Sequence, residues 1–128
     1  MIVDTSALIE ILKGQPEAER CFATLLESGS VRLSAANLFE MYIVADGLDD
    51  PDAGTKSERI LRLATVSIEP VTREHVLLAR TAYQRFGRRN HPAGLNFGDC
   101  FAYALAKQTG EPLLFVGNDF GQTDIVTA

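Results

Sequence analysis

Cysteine and histidine are scarce in this sequence, and no apolar run is long. Its two cysteines, Cys21 and Cys100, share no CxxC or other metal-type spacing. Two isolated thiols read as reduced residues of a cytosolic protein rather than as a disulfide framework. The two histidines, His75 and His91, stand apart, so no Cys/His cluster offers a zinc site. No apolar stretch reaches the roughly 18 residues of a membrane span, and no membrane partner is expected. Met1-Ile2-Val3-Asp4 lacks a basic region followed by an apolar one, so no signal peptide is expected and a cytoplasmic location is. Positive charge is also short: 12 Lys and Arg against 17 Asp and Glu leave a net charge of −5. That balance argues against a protein that merely coats nucleic acid, because such binding rests on phosphate neutralisation. It leaves open an enzyme acting on RNA, where a metal ion can neutralise the scissile phosphate and a local basic patch can hold the rest.

What is present suits one compact domain over residues 1–128, with 46% hydrophobic residues to build its core. Met1 to Val3 reads as a short strand. Thr5 and Ser6 are expected to cap a helix that Lys13-Gly14 closes. A second helix follows Pro16 and runs to about Glu27. Val31 to Ser34 reads as a strand, and a helix spans about Ala35 to Ala45. Asp46 to Lys56 has the composition of a loop with some irregular helix. A helix from about Thr55 to Ala64 leads to a strand at Val66 to Glu69. Thr72 caps the next helix, and Arg85 to Asn96 forms a second loop. Asn96 opens a helix that ends at Gly110. Leu113 to Val116 is a fourth strand and Ile125-Val126 a short fifth. Strands alternating with helices imply an α/β fold with a mostly parallel sheet covered on both faces. Ligands of such sheets bind beyond the carboxyl ends of the strands, where Asp4 and Asp119 fall.

Three acidic residues stand in apolar surroundings. Asp4 ends an apolar strand. Glu40 is the one charge in Ala35-Ala36-Asn37-Leu38-Phe39-Glu40-Met41-Tyr42-Ile43-Val44-Ala45, a helix apolar almost all round and so expected to be buried. Asp99 is the one charge in Phe97-Gly98-Asp99-Cys100-Phe101-Ala102-Tyr103-Ala104-Leu105-Ala106. Burying a single unpaired carboxylate costs several kcal/mol, on the order of magnitude, and normally forces protonation. Taken singly, Asp4 could cap its helix, Asp99 could complement its helix dipole, and Glu40 could pair with a distant arginine. Taken together, the three could surround a divalent cation, since Mg2+ and Mn2+ take oxygen ligands and keep several waters. Asp119, in Gly117-Asn118-Asp119-Phe120, is a fourth carboxylate or an Asx-turn residue. Asp124 is a supporting member of the site or a turn residue.

These residues carry a resemblance. Met1-Ile2-Val3-Asp4-Thr5-Ser6-Ala7-Leu8, Ser34-Ala35-Ala36-Asn37-Leu38-Phe39-Glu40, Leu95-Asn96-Phe97-Gly98-Asp99-Cys100-Phe101-Ala102 and Leu113-Leu114-Phe115-Val116-Gly117-Asn118-Asp119-Phe120 come in the order and at the spacings of a known set of motifs. The chain resembles the PIN-domain ribonucleases, specifically the VapC-type toxins of toxin–antitoxin pairs, over essentially its whole length. The resemblance implies a three-layer α/β/α sandwich, a Mg2+ or Mn2+ requirement, endonucleolytic RNA cleavage, a homodimer and a cognate antitoxin. It places the catalytic and metal-ligating roles on Asp4, Glu40 and Asp99, with Asp119 in support. Either Asn118 or Asp119 faces the metal, and the carboxylate of Asp119 suits magnesium better. The alternative from another class is a non-catalytic PIN-like binding module.

Other residues complete the expectation. Thr5 and Ser6 would hydrogen-bond a ligating carboxylate or the phosphate, or else cap the helix. Arg85, Arg88 and Arg89 are the densest basic cluster and would grip RNA phosphates, or else face solvent. An antitoxin would fill an apolar groove drawing on Leu8, Leu12, Leu38 and Tyr42, unless these are core.

Overall fold

The computed structural model describes residues 1–128. Four parallel strands form the sheet: β1 (Ile2–Val3), β2 (Val31–Ser34), β3 (Val66–Glu69) and β4 (Leu113–Leu114), in the order β3-β2-β1-β4. The chain steps outward from β1 through β2 to β3, then returns to the other side of β1 with β4. The strand order therefore reverses at the β1–β4 boundary, the position beyond whose carboxyl ends folds of this kind bind ligands.

Six helices cover the sheet: α1 (Thr5–Lys13), α2 (Ala18–Glu27), α3 (Ala35–Asp46), α4 (Ala53–Leu63), α5 (Arg73–Phe86) and α6 (Phe97–Thr109). Successive strand residues face opposite layers. Ile2 and Leu113 pack with α5 and α6, while their neighbours Val3 and Leu114 pack with α1, α2 and α4. All four are fully buried or nearly so. This is the expected three-layer α/β/α sandwich with a short parallel sheet.

Several boundaries differ from expectation for local reasons. Helix α1 is capped by Asp4, whose Oδ2 accepts from the Ser6 amide at 2.9 Å; Thr5 and Ser6 are inside the helix and do not cap it. Helix α4 begins at Ala53, earlier than composition suggests. Strand β4 stops at Leu114. Ile125-Val126 forms no strand; the tail makes one parallel bridge, Thr127 to Leu113. Thr72 and Asn96 cap their helices as expected, each within a reciprocal capping box.

Helix α3 is not buried all round. Only Asn37, Met41 and Ala45 are buried, at helical spacing, while Phe39 and Ile43 are 66% and 57% exposed. Both cysteines are free and buried. No helix is long and apolar enough to cross a membrane.

Candidate active site

Three helix starts and one turn meet beyond the sheet's carboxyl edge. Asp4 lies between β1 and α1 and is 3% exposed. It does cap its helix, but that uses only one oxygen; Oδ1 is buried with no hydrogen-bond partner. Burial pushes the Asp4 carboxyl up to about 6, against the Ser6 hydrogen bonds that favour the charged form and with the help of Glu40's charge. Capping thus uses one carboxylate oxygen and leaves the other without a partner.

Asp99 sits in the first turn of α6. Its Oδ2 accepts from the Asn96 amide, and the Asn96 side chain returns the bond to the Asp99 amide, each at 2.9 Å. Burial pushes its carboxyl up to about 7; the Asn96 bond opposes that, and the charges of Asp4, Asp119 and Glu40 add to it. Asp99 thus stands both in the first turn of α6 and beside the other acidic residues.

Glu40 reaches the site from the middle of α3. It pairs with no arginine, and Asn37 Nδ2 donates weakly to its Oε1 at 3.4 Å. The α6 backbone at Gly98 presses against it: a Cβ there would overlap the Glu40 carboxylate. Asp119 is exposed in the turn after β4, near enough for its charge to raise Asp99. Asn118, by contrast, lines a separate cleft with Glu17, Arg20 and Phe115, and its carbonyl accepts from Gln122. Of the two, Asp119 belongs to the carboxylate cluster.

Four acidic side chains therefore share one region, with Asp99 close enough to feel the charges of the other three. No three acidic, histidine or cysteine side chains converge as a closed set of ligands. The donor set fits a hard divalent ion: all oxygen, with one buried oxygen, Asp4 Oδ1, left without a donor.

The remaining expected residues divide. Thr5 donates its hydroxyl to the Asn37 carbonyl at 3.0 Å, so it bonds neither a carboxylate nor an open phosphate position. Ser6 Oγ accepts from the Val116 amide at 3.0 Å, tying the start of α1 to the segment after β4. Asp124 does not support the site. It anchors the C-terminal segment, accepting from Tyr103 at 2.7 Å and pairing with Lys107 at 2.8 Å and Arg85 at 3.4 Å. Slight burial works upward on its carboxyl, but the Lys107 and Tyr103 hydrogen bonds outweigh it and hold Asp124 near 2. Arg85 is thereby engaged away from the site. Arg88 and Arg89 are exposed on the loop closed by the Gly87–Leu95 bridge. Arg88 lines a cleft of about 560 Å³ with Arg80, Tyr83, Asn96 and Phe97, beside the α6 N-terminus.

Sequence reasoning missed two residues. Asn37 is a fully buried amide between α3 and α6, and Gly98 is the close approach just described. The available signals were a lone amide in an apolar helix and a glycine inside a helix start.

The PIN domain profile matches residues 1–126. Ribonuclease VapC28 of Mycobacterium tuberculosis is 47% identical over 129 residues, covering 100% of this chain and 97% of that protein. Ribonuclease VapC of Mycolicibacterium smegmatis is 40% identical over 125 residues, covering 98% and 97%. Among solved structures, Mycobacterium tuberculosis VapC20, described as a sarcin-ricin loop cleaving toxin, superposes with a TM-score of 0.79 at 20% identity, covering 99% of this chain and 97% of that one. A toxin–antitoxin complex from Klebsiella pneumoniae gives 0.72 at 18% identity, covering 99% and 95%. At those identities the superpositions establish the fold.

Proposed function

This chain belongs to the PIN-domain family and to its VapC ribonucleases, and on that premise we propose that it is the toxin of a toxin–antitoxin pair, an endoribonuclease using Mg2+ or Mn2+ at the Asp4–Glu40–Asp99 cluster. The observation that carries the metal reading is Asp4 Oδ1, buried without a donor among like-charged neighbours. An unpaired buried carboxylate is costly, and a divalent cation relieves that cost.

Asp4 and Asp99 would hold the ion, Glu40 would ligate a second ion or orient the attacking water, and Asp119 would support the open side. A cation held there lowers the pKa of its bound water and stabilises charge developing on the phosphate. The chain's own contribution is placement. Ser6 holds Asp4 through its amide, Asn96 holds Asp99, and Gly98 admits Glu40 to the site. Arg88 and Arg89, exposed on the loop before α6, would take flanking phosphates of the RNA.

The partner reading has support in the surface. Ile11, Leu12, Phe22, Ile60 and Leu63 line an apolar groove between α1, α2 and α4, edged by Lys56 and Arg59. An amphipathic antitoxin helix suits such a groove. Of the residues expected there, Leu12 lines it; Leu8 is fully buried core, Leu38 packs on the core, and Tyr42 hydrogen-bonds Glu58. The exposed Phe39, Ile43, Val76, Tyr83 and Phe97 favour self-association, in line with a homodimer.

The test is sequencing of cellular RNA after brief induction, with Asp4→Asn as control. New 5′ ends at defined sites, absent with Asp4→Asn, are expected. Identical RNA in both cultures would leave the binding-module reading in its place.

A further inference from the structure

We propose that Asn37 is a positioning residue of the carboxylate site, fixing the Glu40 carboxylate against the first turn of α6. The proposal rests on the nuclease reading above. Asn37 is 0% exposed and lies three residues before Glu40 on α3. Its Nδ2 donates to the Gly98 carbonyl at 2.9 Å and approaches Glu40 Oε1 at 3.4 Å. Its backbone carbonyl accepts from Thr5 Oγ1 at 3.0 Å. One residue thus joins the segments that carry Asp4, Glu40 and Asp99.

The amide has one workable orientation. Turned over, Oδ1 would face the Gly98 carbonyl and the Glu40 carboxylate, both acceptors. In the observed orientation Oδ1 is buried with no partner. Burying an unpaired acceptor is destabilising, so stability alone does not explain an asparagine where a leucine would pack. What the amide provides is two N–H groups aimed at a carbonyl beside Asp99 and at the carboxylate of Glu40. Asp4 and Asp99 carry the same charge as that carboxylate and repel it at close quarters. The Asn37 N–H opposes the repulsion and keeps Glu40 facing its partners.

The test uses Asn37→Leu, which fills the space with apolar atoms, and Asn37→Asp, which keeps the shape but removes the donors. Mn2+ affinity is read by electron paramagnetic resonance on folded protein, and cleavage by kcat and KM on one RNA. Loss of roughly 10–100-fold in Mn2+ affinity and in kcat, with KM unchanged, is expected for both variants. Asn37→Leu should keep or raise Tm, which separates positioning from stabilisation. Wild-type Mn2+ affinity and kcat in folded Asn37→Leu would overturn this proposal alone. A wild-type chain that neither binds Mn2+ nor cleaves RNA would overturn the nuclease reading, and this inference with it.

Discussion

The Gly98 backbone lies against the Glu40 carboxylate so closely that a methyl group on Gly98 would occupy the carboxylate's place. Glu40 sits at the far end of a flexible side chain, so in Gly98→Ala it would swing away rather than unfold the helix. Alanine is also the better helix former, by about 0.5–1 kcal/mol. Gly98→Ala should therefore keep its Tm within a few degrees yet lose at least ~10-fold in RNA cleavage. A normal rate with an altered Tm would contradict the contact's role in the site.

Asp4 and Asp99 make the unliganded fold sensitive to pH. Their carboxyls are raised from 3.8 to about 6 and about 7. A raised pKa means the folded chain holds the proton more tightly than the unfolded one. The resulting stability is fully present below pH 3.8 and is lost as pH climbs through 6 to 7. For Asp4 alone the difference corresponds to about 3 kcal/mol. In EDTA, Tm should fall from pH 5 to pH 8, and Asp4→Asn should flatten that fall and raise Tm at the upper end. Parallel wild-type and Asp4→Asn profiles in calorimetry would refute the burial argument.

Asp124 works in the opposite direction and at a different place. Its carboxyl is depressed to about 2, so its contribution is present above about pH 4 and lost as pH falls towards 2. Asp124→Asn breaks exposed ion pairs to Lys107 and Arg85, a change worth little at high salt. It should lower Tm slightly at low salt while leaving the cleavage rate within about two-fold. A large loss of rate with Tm intact would return Asp124 to the active site.

The arginines should behave unequally. Arg88 lines the cleft beside the α6 N-terminus, whereas Arg85 is paired with Asp124 and stacked 4.6 Å over the Phe86 ring. Arg88→Gln should weaken RNA binding and reduce the salt slope by about 0.7, the share of one single-stranded phosphate contact. Arg85→Gln should leave the slope unchanged. Equal slopes in wild type and Arg88→Gln, measured by fluorescence anisotropy across salt, would remove Arg88 from the interface.

The sheet, its flanking helices and the carboxylates were readable from the sequence because each has a local signal. Apolar strands, capping residues and lone charges in apolar helices all lie within a few residues of their effect. Capping of α1 falls to Asp4 although Thr5 and Ser6 are good caps by type, and Asp4 does it with one oxygen, leaving the other buried and unpartnered. For Asp124 the turn alternative holds, and the sequence alone does not decide it because its partners come from α5 and α6, far along the chain. Asn37 and Gly98 escaped notice for the same reason: their roles exist only once α3 and α6 have packed. The exposed apolar face of α3 was hidden by a composition that reads as core.

The most direct measurement is cleavage of one defined RNA by purified, EDTA-dialysed chain, with Mg2+ added back in steps. Wild type should be inactive without the ion and regain activity along a saturable curve, while Asp4→Asn and Asp99→Asn, folded by circular dichroism, stay inactive throughout. Cleavage that persists in EDTA, or that either variant carries out at the wild-type rate, would contradict a metal-dependent nuclease built on these carboxylates.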